Sequence, residues 1–177
     1  RGRLFRSDHL ISQEELAHLL DEVVPLSETL SKTRTGALLV FEREVGLNEI
    51  IDTGVAIDGI VSKELLGNIF IPNTPLHDGA VVIRENRIMA AGCLLPLTTD
   101  RSLSTELGTR HRAAIGISEK SDAVVVVVSE ETGAVSYAYG GHIYRHLTGE
   151  RLRQTLEGFF SKQPQGLANI LKWRSGK

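Results

Sequence analysis

Two short clusters of polar residues stand out in this 177-residue chain. The first is His77-Asp78-Gly79, in which an imidazole and a carboxylate precede a glycine that lets a ligand approach the backbone. The second runs from Thr109 to Arg112 and puts two guanidinium groups, an imidazole and a hydroxyl into four positions. Arginine forks match phosphate oxygens in a bidentate way, so this density predicts a polyphosphate ligand. Together the clusters predict an acidic, metal-binding side and a phosphate side of one nucleotide site.

Asp78 is the residue with the clearest chemistry. A carboxylate beside a divalent ion can take the proton from a sugar hydroxyl while the ion shields phosphate charge. The neighbouring His77 is a competent ligand for Mn²⁺ or a similar ion. The residues alone leave a second interpretation open, in which Asp78-Gly79 only turns the chain before a strand and His77 is an exposed turn histidine.

The basic cluster is predicted to lie near the start of a helix over Glu106 to Ser118. Free amides and the helix dipole favour anions at that end, and a basic pair there is unfavourable unless an anion is present. Arg110 and Arg112 are two positions apart and do not share a helix face. If both bind one ligand, the helix must begin around them. The alternative is a solvated basic helix start.

These segments also carry a family resemblance. Leu76 to Ala80 (LHDGA) and Gly108 to Arg112 (GTRHR) resemble the two signature motifs of diadenylate cyclase (DAC) domains, which join two ATP molecules into cyclic di-AMP. The resemblance extends from about Leu10 to Phe160, and Gly36 to Val40 (GALLV) is similar to the family's adenine-pocket strand. It implies one α/β domain with a central mixed β-sheet flanked by helices, ATP as substrate, and a divalent metal (Mn²⁺, Mg²⁺ or Co²⁺).

The resemblance also implies roles for individual residues. The implied catalytic residues are Asp78, Arg110, His111 and Arg112, and the implied metal ligands are His77, Asp78 and Glu131. The implied nucleotide contacts are Leu39, Gly79, Cys93, Leu94, Leu95, Thr109 and Ser129. From the residues alone, Ser129 to Glu131 also fits an acidic surface turn, and the apolar contacts also fit plain core strands.

The activity implied by the resemblance is condensation of two ATP into cyclic di-AMP with release of two pyrophosphates. Each 3′-hydroxyl would attack the α-phosphate across a face-to-face homodimer, which need not be permanent. The implied regulators are a membrane protein with YbbR-type repeats and phosphoglucosamine mutase. The alternative from another class is a non-catalytic adenine-nucleotide-binding sensor, against which the intact motifs argue.

Bulk properties restrict the other classes. A formal net charge of −2 gives no indication of a nucleic-acid partner, and the single Cys93 fits a reducing compartment. No run approaches the ~20 apolar residues of a membrane span. The chain begins without methionine, and the resemblance is closest to membrane-tethered cyclases. We therefore expect a linker (1–10) after an absent transmembrane region, a catalytic domain (11–161) and a tail (162–177). In this prediction the chain itself is soluble, and the full-length protein is at the cytoplasmic face of the plasma membrane.

Sequence patterns predict alternating helices and strands. Helices are expected over Ser12 to Lys32, kinked or divided by Pro25, and over Ser62 to Phe70, Glu106 to Ser118 and Thr148 to Phe160, with a helical turn over Leu47 to Ile51. Strands are expected over Gly36 to Phe41, Val55 to Val61, Ala80 to Ile83, Arg87 to Leu95, Ala123 to Val128 and Ala134 to Tyr139. This interleaving predicts a single α/β domain with a mixed sheet.

Overall fold

The computed structural model describes residues 11–161, so the predicted linker (1–10) and the predicted tail (162–177, with Trp173) lie outside the described residues. The helices are α1 (Gln13–Thr33), α2 (Asn48–Ile51), α3 (Lys63–Ile69), α4 (Thr109–Lys120) and α5 (Gly149–Phe160). The strands are β1 (Ala37–Glu42), β2 (Val55–Ile60), β3 (Ala80–Arg84), β4 (Arg87–Cys93), β5 (Val124–Val128), β6 (Val135–Tyr139) and β7 (His142–Tyr144).

The seven strands form one sheet in the order β2-β4-β3-β1-β5-β6-β7. Strands β1 and β3 are parallel, whereas the other neighbouring pairs are antiparallel. The predicted α/β domain with a mixed sheet is therefore confirmed. The short edge strand β7 was not predicted, and β4 ends at Cys93 instead of Leu95.

Helices cover both faces of the sheet. Alternate side chains of β1 and β5 pack on opposite sides, as strand geometry requires. One side is covered by α1, α3 and α5, and the other by α4 and the residues around α2. The five valines of β5 are all buried, which confirms a strand covered on both faces.

Side-chain caps fix the starts of three helices. The hydroxyls of Ser12, Ser62 and Thr148 accept the backbone N–H three residues ahead and so cap α1, α3 and α5. Pro25 does not divide α1, which continues unbroken over 21 residues. The carbonyl that lacks a donor because of this proline belongs to Asp21, an exposed residue, so water can satisfy it.

A buried ion pair anchors the Glu42 edge, which is the end of the central strands where β1 and β3 finish. Arg84 donates from Nε and Nη2 to the two carboxylate oxygens of Glu42 at 2.7 and 2.9 Å. Glu42 is 6% exposed and also accepts the Leu47 amide, and Arg84 reaches the side chain of Asn48. The hydrogen bond to Glu42 raises the pKa of Arg84. The pair therefore attaches α2 to the sheet.

Both ends of the described domain lie near this same edge. His18, in the second turn of α1, is hydrogen bonded to Asn86 in the β3–β4 turn at 2.9 Å. The Phe160 ring, at the end of α5, lies 6.2 Å from the Phe41 ring near the end of β1. Across residues 11–161, none of the helices combines the length and apolar character that a bilayer crossing requires.

Candidate active site

The opposite end of the central strands, the Gly36 edge, brings together segments that are far apart in sequence. The parallel register aligns Leu39 with Val81, so three residues earlier Gly36 lies beside Asp78. The antiparallel register aligns Ala37 with Val128, so Gly36 also lies beside Ser129 on its other side. The edge is therefore built from the starts of β1 and β3 and from the end of β5, with the end of β4 beside β3.

Arg110 reaches the same edge from helix α4. A Cβ added at Gly36 would lie 2.5 Å from Cζ of Arg110 and 2.6 Å from its Nη1. The guanidinium therefore lies directly on the Gly36 backbone, a position that a side chain there would occupy. The acidic turn and the basic cluster thus lie at one edge of the sheet.

The start of α4 differs from the other long helix starts. The helix begins at Thr109, not at the predicted Glu106, and its N-cap is Gly108, which has no side chain to bond the first amides. Its first turn contains no acidic residue, whereas α1, α3 and α5 each have a side-chain cap and a glutamate there. Arg110 and Arg112 therefore occupy the first turn itself, where backbone amides and dipole favour a bound anion.

The turn after β5 supplies the charge that faces Arg110. Glu130 lies 3.4 Å from Nη1 of Arg110, and its side chain is 65% exposed. The predicted metal ligand Glu131 is exposed on the same turn. The hydroxyl of Ser129 accepts the amides of Glu131 and Thr132 at 3.2 Å, so it holds the turn and keeps only its own proton for a ligand. Glu130 was not singled out from the sequence, because only the fold brings it next to Arg110.

His77 is prepared to act as a metal ligand. Its Nδ1 lies 2.6 Å from the carbonyl oxygen of Thr74. A carbonyl can only accept, so Nδ1 donates in this bond, and Nε2 is the nitrogen of the ring that could bind a metal. The adjacent Asp78 is exposed. Within residues 11–161 no three His, Cys, Asp or Glu side chains group closely enough to hold an ion. His77 and Asp78 fit an ion that takes its remaining ligands from phosphate oxygens and water.

Gly79 is required for the close approach of the acidic turn to β4. Its φ is +116°, in the region that favours glycine, and an added Cβ would lie 2.8 Å from the Cys93 carbonyl oxygen and from the Gly92 carbonyl carbon. Any larger residue would therefore push the Asp78 turn away from the end of β4. The predicted role of Gly79 in bringing the backbone close to a ligand remains a prediction.

The predicted apolar contacts occupy different environments. Leu39 and Cys93 are buried in the core, on opposite faces of the sheet, and burial raises the pKa of the Cys93 thiol to about 11. Leu94 is 68% exposed at the end of β4, and its amide donates to the Thr53 hydroxyl at 2.9 Å. Leu95 is partly buried. Leu94 and Leu95 are therefore the apolar side chains of this set that a ligand can reach.

His111 lies beneath the helix start and not on its surface. The residue is 5% exposed, and burial, followed by the charges of Arg145 and Arg110, lowers the pKa of its imidazole. The ring is therefore neutral near pH 7, while Thr109 is exposed and Arg112 is partly exposed on the same turn. The side chains of this turn that face a ligand are thus Thr109, Arg110 and Arg112.

Two concavities lie between helices, away from these groups. A cavity of about 210 Å³ between α1 and the start of α5 is lined by residues such as Glu28 and Thr148. A groove of about 580 Å³ separates α1 from α3. Neither is lined by Asp78 or Arg110. The chemistry therefore indicates the open sheet edge as the site, and not either cavity.

Comparison with known proteins shows the family and agrees with the fold. The family model described as DAC, DisA bacterial checkpoint controller nucleotide-binding, matches residues 26–143. Cyclic di-AMP synthase CdaA of Bacillus subtilis is 46% identical over the whole chain, which spans 65% of that relative's length. A DacA double mutant from Staphylococcus aureus has a TM-score of 0.82 and 46% identity, covering 85% of this chain and 100% of that one. A hypothetical membrane spanning protein from Bacillus cereus has a TM-score of 0.69 and 46% identity, covering 72% and 62% respectively.

Proposed function

Because the chain belongs to the DAC family, we propose that it is a diadenylate cyclase that condenses two ATP molecules into cyclic di-AMP and releases two pyrophosphates. The observation that carries this proposal is the contact of Arg110 with Gly36, which precedes β1 at the same end of the strands where Asp78 precedes β3. It supports the proposal because Arg110, the proposed phosphate-binding cation, and Asp78, the proposed base, are then close enough to act on one nucleotide.

In the proposed reaction, one group of residues acts at the ribose and another binds the triphosphate. Asp78 accepts the proton of a ribose 3′-hydroxyl as that oxygen attacks an α-phosphate. Arg110, Arg112 and the uncapped amides of α4 bind the triphosphate and stabilise the departing pyrophosphate. Thr109 is exposed on the same turn and can donate its hydroxyl to a phosphate oxygen.

Two copies of the chain are needed for this product. Cyclic di-AMP has two equivalent 3′–5′ linkages, so each nucleotide both attacks and is attacked. A two-fold contact presents the same patch from both sides. The open sheet edge supports such an arrangement, because a site on an exposed edge can face its copy. We propose a homodimer of this kind, which need not be permanent.

A divalent ion (Mn²⁺, Mg²⁺ or Co²⁺) completes the proposed site. His77 and Asp78 would hold it, and Glu131 is a further proposed ligand. When bound, the ion would supply charge neutralisation at the phosphates and acidify the attacking hydroxyl. The hydrogen bond of His77 Nδ1 to the Thr74 carbonyl supports this assignment, because it occupies the other ring nitrogen as in metal-binding histidines.

The test is to incubate the protein with ATP and Mn²⁺ and to separate the products by chromatography. We expect cyclic di-AMP and pyrophosphate, with activity per protomer rising with protein concentration while pairing limits the rate. Asp78→Asn should lower the rate by about 10²- to 10⁴-fold, the usual contribution of a general base, and leave the fold intact. Asp58→Asn is the matched control, because Asp58 is an exposed aspartate paired with Arg87 on the β2 edge.

Two outcomes would contradict the proposal. Near wild-type turnover by Asp78→Asn would remove this carboxylate from the mechanism. ATP binding without any dinucleotide at any protein concentration would instead identify a nucleotide sensor. Arg110→Ala should weaken inorganic tripolyphosphate binding more than adenosine binding, and equal losses would contradict its assigned role.

The family resemblance supports three further proposals about the whole protein. We propose that residues 11–161 are the catalytic domain and that a preceding segment tethers it to the cytoplasmic face of the plasma membrane. The membrane-spanning relative from Bacillus cereus supports the tether. The proposed regulators are a YbbR-type protein and phosphoglucosamine mutase.

A further inference from the structure

Three buried polar atoms in the described residues have no hydrogen-bond partner. They are Nε2 of His111, Oγ of Ser136 and Nε of Arg145. His111 is 5% exposed and Ser136 is 0% exposed. Leaving a buried donor or acceptor unpaired costs about 1–3 kcal/mol per group. Three such groups within residues 11–161 therefore require an explanation.

The fold brings these three residues together. Tyr137 pairs with Tyr144 in the β6–β7 ladder, so one step beyond the ladder Arg145 lies opposite Ser136. Side chains alternate along a strand, and Ala138 packs on the α4 face of the sheet, so Ser136 lies on that face too. Arg145 is near enough to His111 for its charge to lower the pKa of the imidazole. The three unpaired atoms thus belong to residues on the α4 side of the sheet, with Arg145 opposite Ser136 and close enough to His111 to act on its charge.

The chemical types of the three atoms are complementary. An arginine Nε–H can only donate, a neutral imidazole offers one accepting nitrogen, and a serine hydroxyl does both. The three groups are therefore complementary as donors and acceptors, and closure of α4 onto the sheet would let them pair.

Arg145 also holds the loop that leads into the basic turn. Its Nη1 donates to Glu106 at 3.2 Å, two residues before the Gly108 N-cap. The charged groups that face His111 are Arg110 on its own helix and Arg145 after β7. On the α4 side of the sheet, β5 and β6 contribute only uncharged side chains, namely valine, serine and alanine. Arg145 is therefore the one charge in this set that comes from outside α4.

We propose that Ser136 and Arg145 are positioning residues for the triphosphate side of the site, acting through the orientation of His111. The proposal rests on the proposed function, because it assumes that the first turn of α4 binds phosphate. Neither residue needs to touch the nucleotide. Both fix the turn that presents Arg110 and Arg112.

The test combines a titration with a binding measurement, neither of which needs turnover. The variants are Arg145→Gln, Arg145→Lys and Ser136→Ala, and the control is Arg87→Gln, an exposed arginine with one carboxylate partner. The pKa of His111 is followed by NMR of histidine-labelled protein, with the other five histidines as internal references. Affinity for inorganic tripolyphosphate is measured by calorimetry, and thermal unfolding is recorded in parallel.

We expect the pKa of His111 to rise in Arg145→Gln and to stay low in Arg145→Lys, which keeps the charge. Tripolyphosphate binding should weaken on the order of tenfold in Ser136→Ala and in both Arg145 variants, because the closed arrangement that pairs His111 with these residues can then no longer form. Arg87→Gln should match the wild type in both measurements.

Either of two results would overturn the proposal. One is an unchanged His111 titration in Arg145→Gln, and the other is wild-type tripolyphosphate affinity in Ser136→Ala. If Arg145→Gln does not fold, Ser136→Ala and Arg145→Lys still decide the question through binding. A wild-type protein that does not bind tripolyphosphate would instead contradict the proposed function itself.

Discussion

Replacing Gly36 with alanine is the sharpest perturbation of the sheet edge. The added Cβ would lie 2.5 Å from Cζ of Arg110, 2.6 Å from Nη1 and 3.0 Å from Nε. Non-bonded carbon atoms rest about 3.5–4.0 Å apart, so the guanidinium must retreat by about 1 Å. The φ of Gly36 lies outside the positive region, so alanine fits the backbone there. The substitution therefore acts on the position of one side chain.

Arg110 contributes differently to the stability of the fold and to the rate of the reaction, so Gly36→Ala should affect the two to different extents. Its ion pair with Glu130 is largely exposed, and such pairs contribute about 0–1 kcal/mol, so the free energy of unfolding should change little. A misplacement of about 1 Å in a positioned group can cost about 10²-fold in rate. We expect kcat/KM for cyclic di-AMP formation to fall about a hundredfold, which is about 2.7 kcal/mol of transition-state stabilisation.

The assay compares turnover with thermal unfolding. Gly158→Ala is the control, because nothing lies within 4 Å of its added Cβ and alanine favours a helix interior. Arg110→Ala is then introduced with and without Gly36→Ala. Since both changes act on one guanidinium, their losses should not add. Wild-type kcat/KM in folded Gly36→Ala, or full additivity of the two losses, would refute the contact as a functional one.

Two further predictions concern stability. Glu42→Gln should lower the free energy of unfolding by about 3 kcal/mol in urea denaturation, because it removes one charge of a buried pair. The KM for ATP should stay unchanged in an ATP titration, because Glu42 lies at the edge opposite to the site. The Cys93 thiol has a pKa of about 11 when folded, so the unfolded state loses its proton first as pH rises above about 8.5. Relative to Cys93→Ala, the wild type should lose up to about 3 kcal/mol between pH 8 and pH 11, and equal slopes would contradict this.

Elements with strong local signals were predictable from the sequence. A serine or threonine followed by an amphipathic pattern located the starts of α1, α3 and α5, because a cap needs only residues three apart. The predicted start of α4 was wrong because Glu106 looks like a first-turn acid, whereas it bonds Arg145 and precedes a glycine cap. Strand β7 has three residues and one partly buried apolar side chain, so only its pairing with β6 makes it a strand.

The site was predictable by residue type but not by contact. The carboxylate turn and the arginine cluster are each contiguous in sequence, so their chemistry can be recognised before the fold is known. The contact of Arg110 with Gly36 joins residues 74 positions apart and depends on the register of β1 with its neighbours. Glu130, Ser136 and Arg145 have no motif of their own. Their relation to the site arises only when the strands pair, which one sequence does not reveal.

The direction of the strands has a consequence for how the site forms. Asp78 precedes a strand and Glu130 follows one, and they reach one edge only because β1 is parallel to β3 and antiparallel to β5. The site therefore requires three strands from distant parts of the chain, and no single hairpin contains it. Loss of the buried pair at the far edge should thus reduce the folded population without changing the affinity of the molecules that remain folded. Stability and nucleotide affinity are then separable by substitution, provided that the change lies at the Glu42 edge and not at the Gly36 edge.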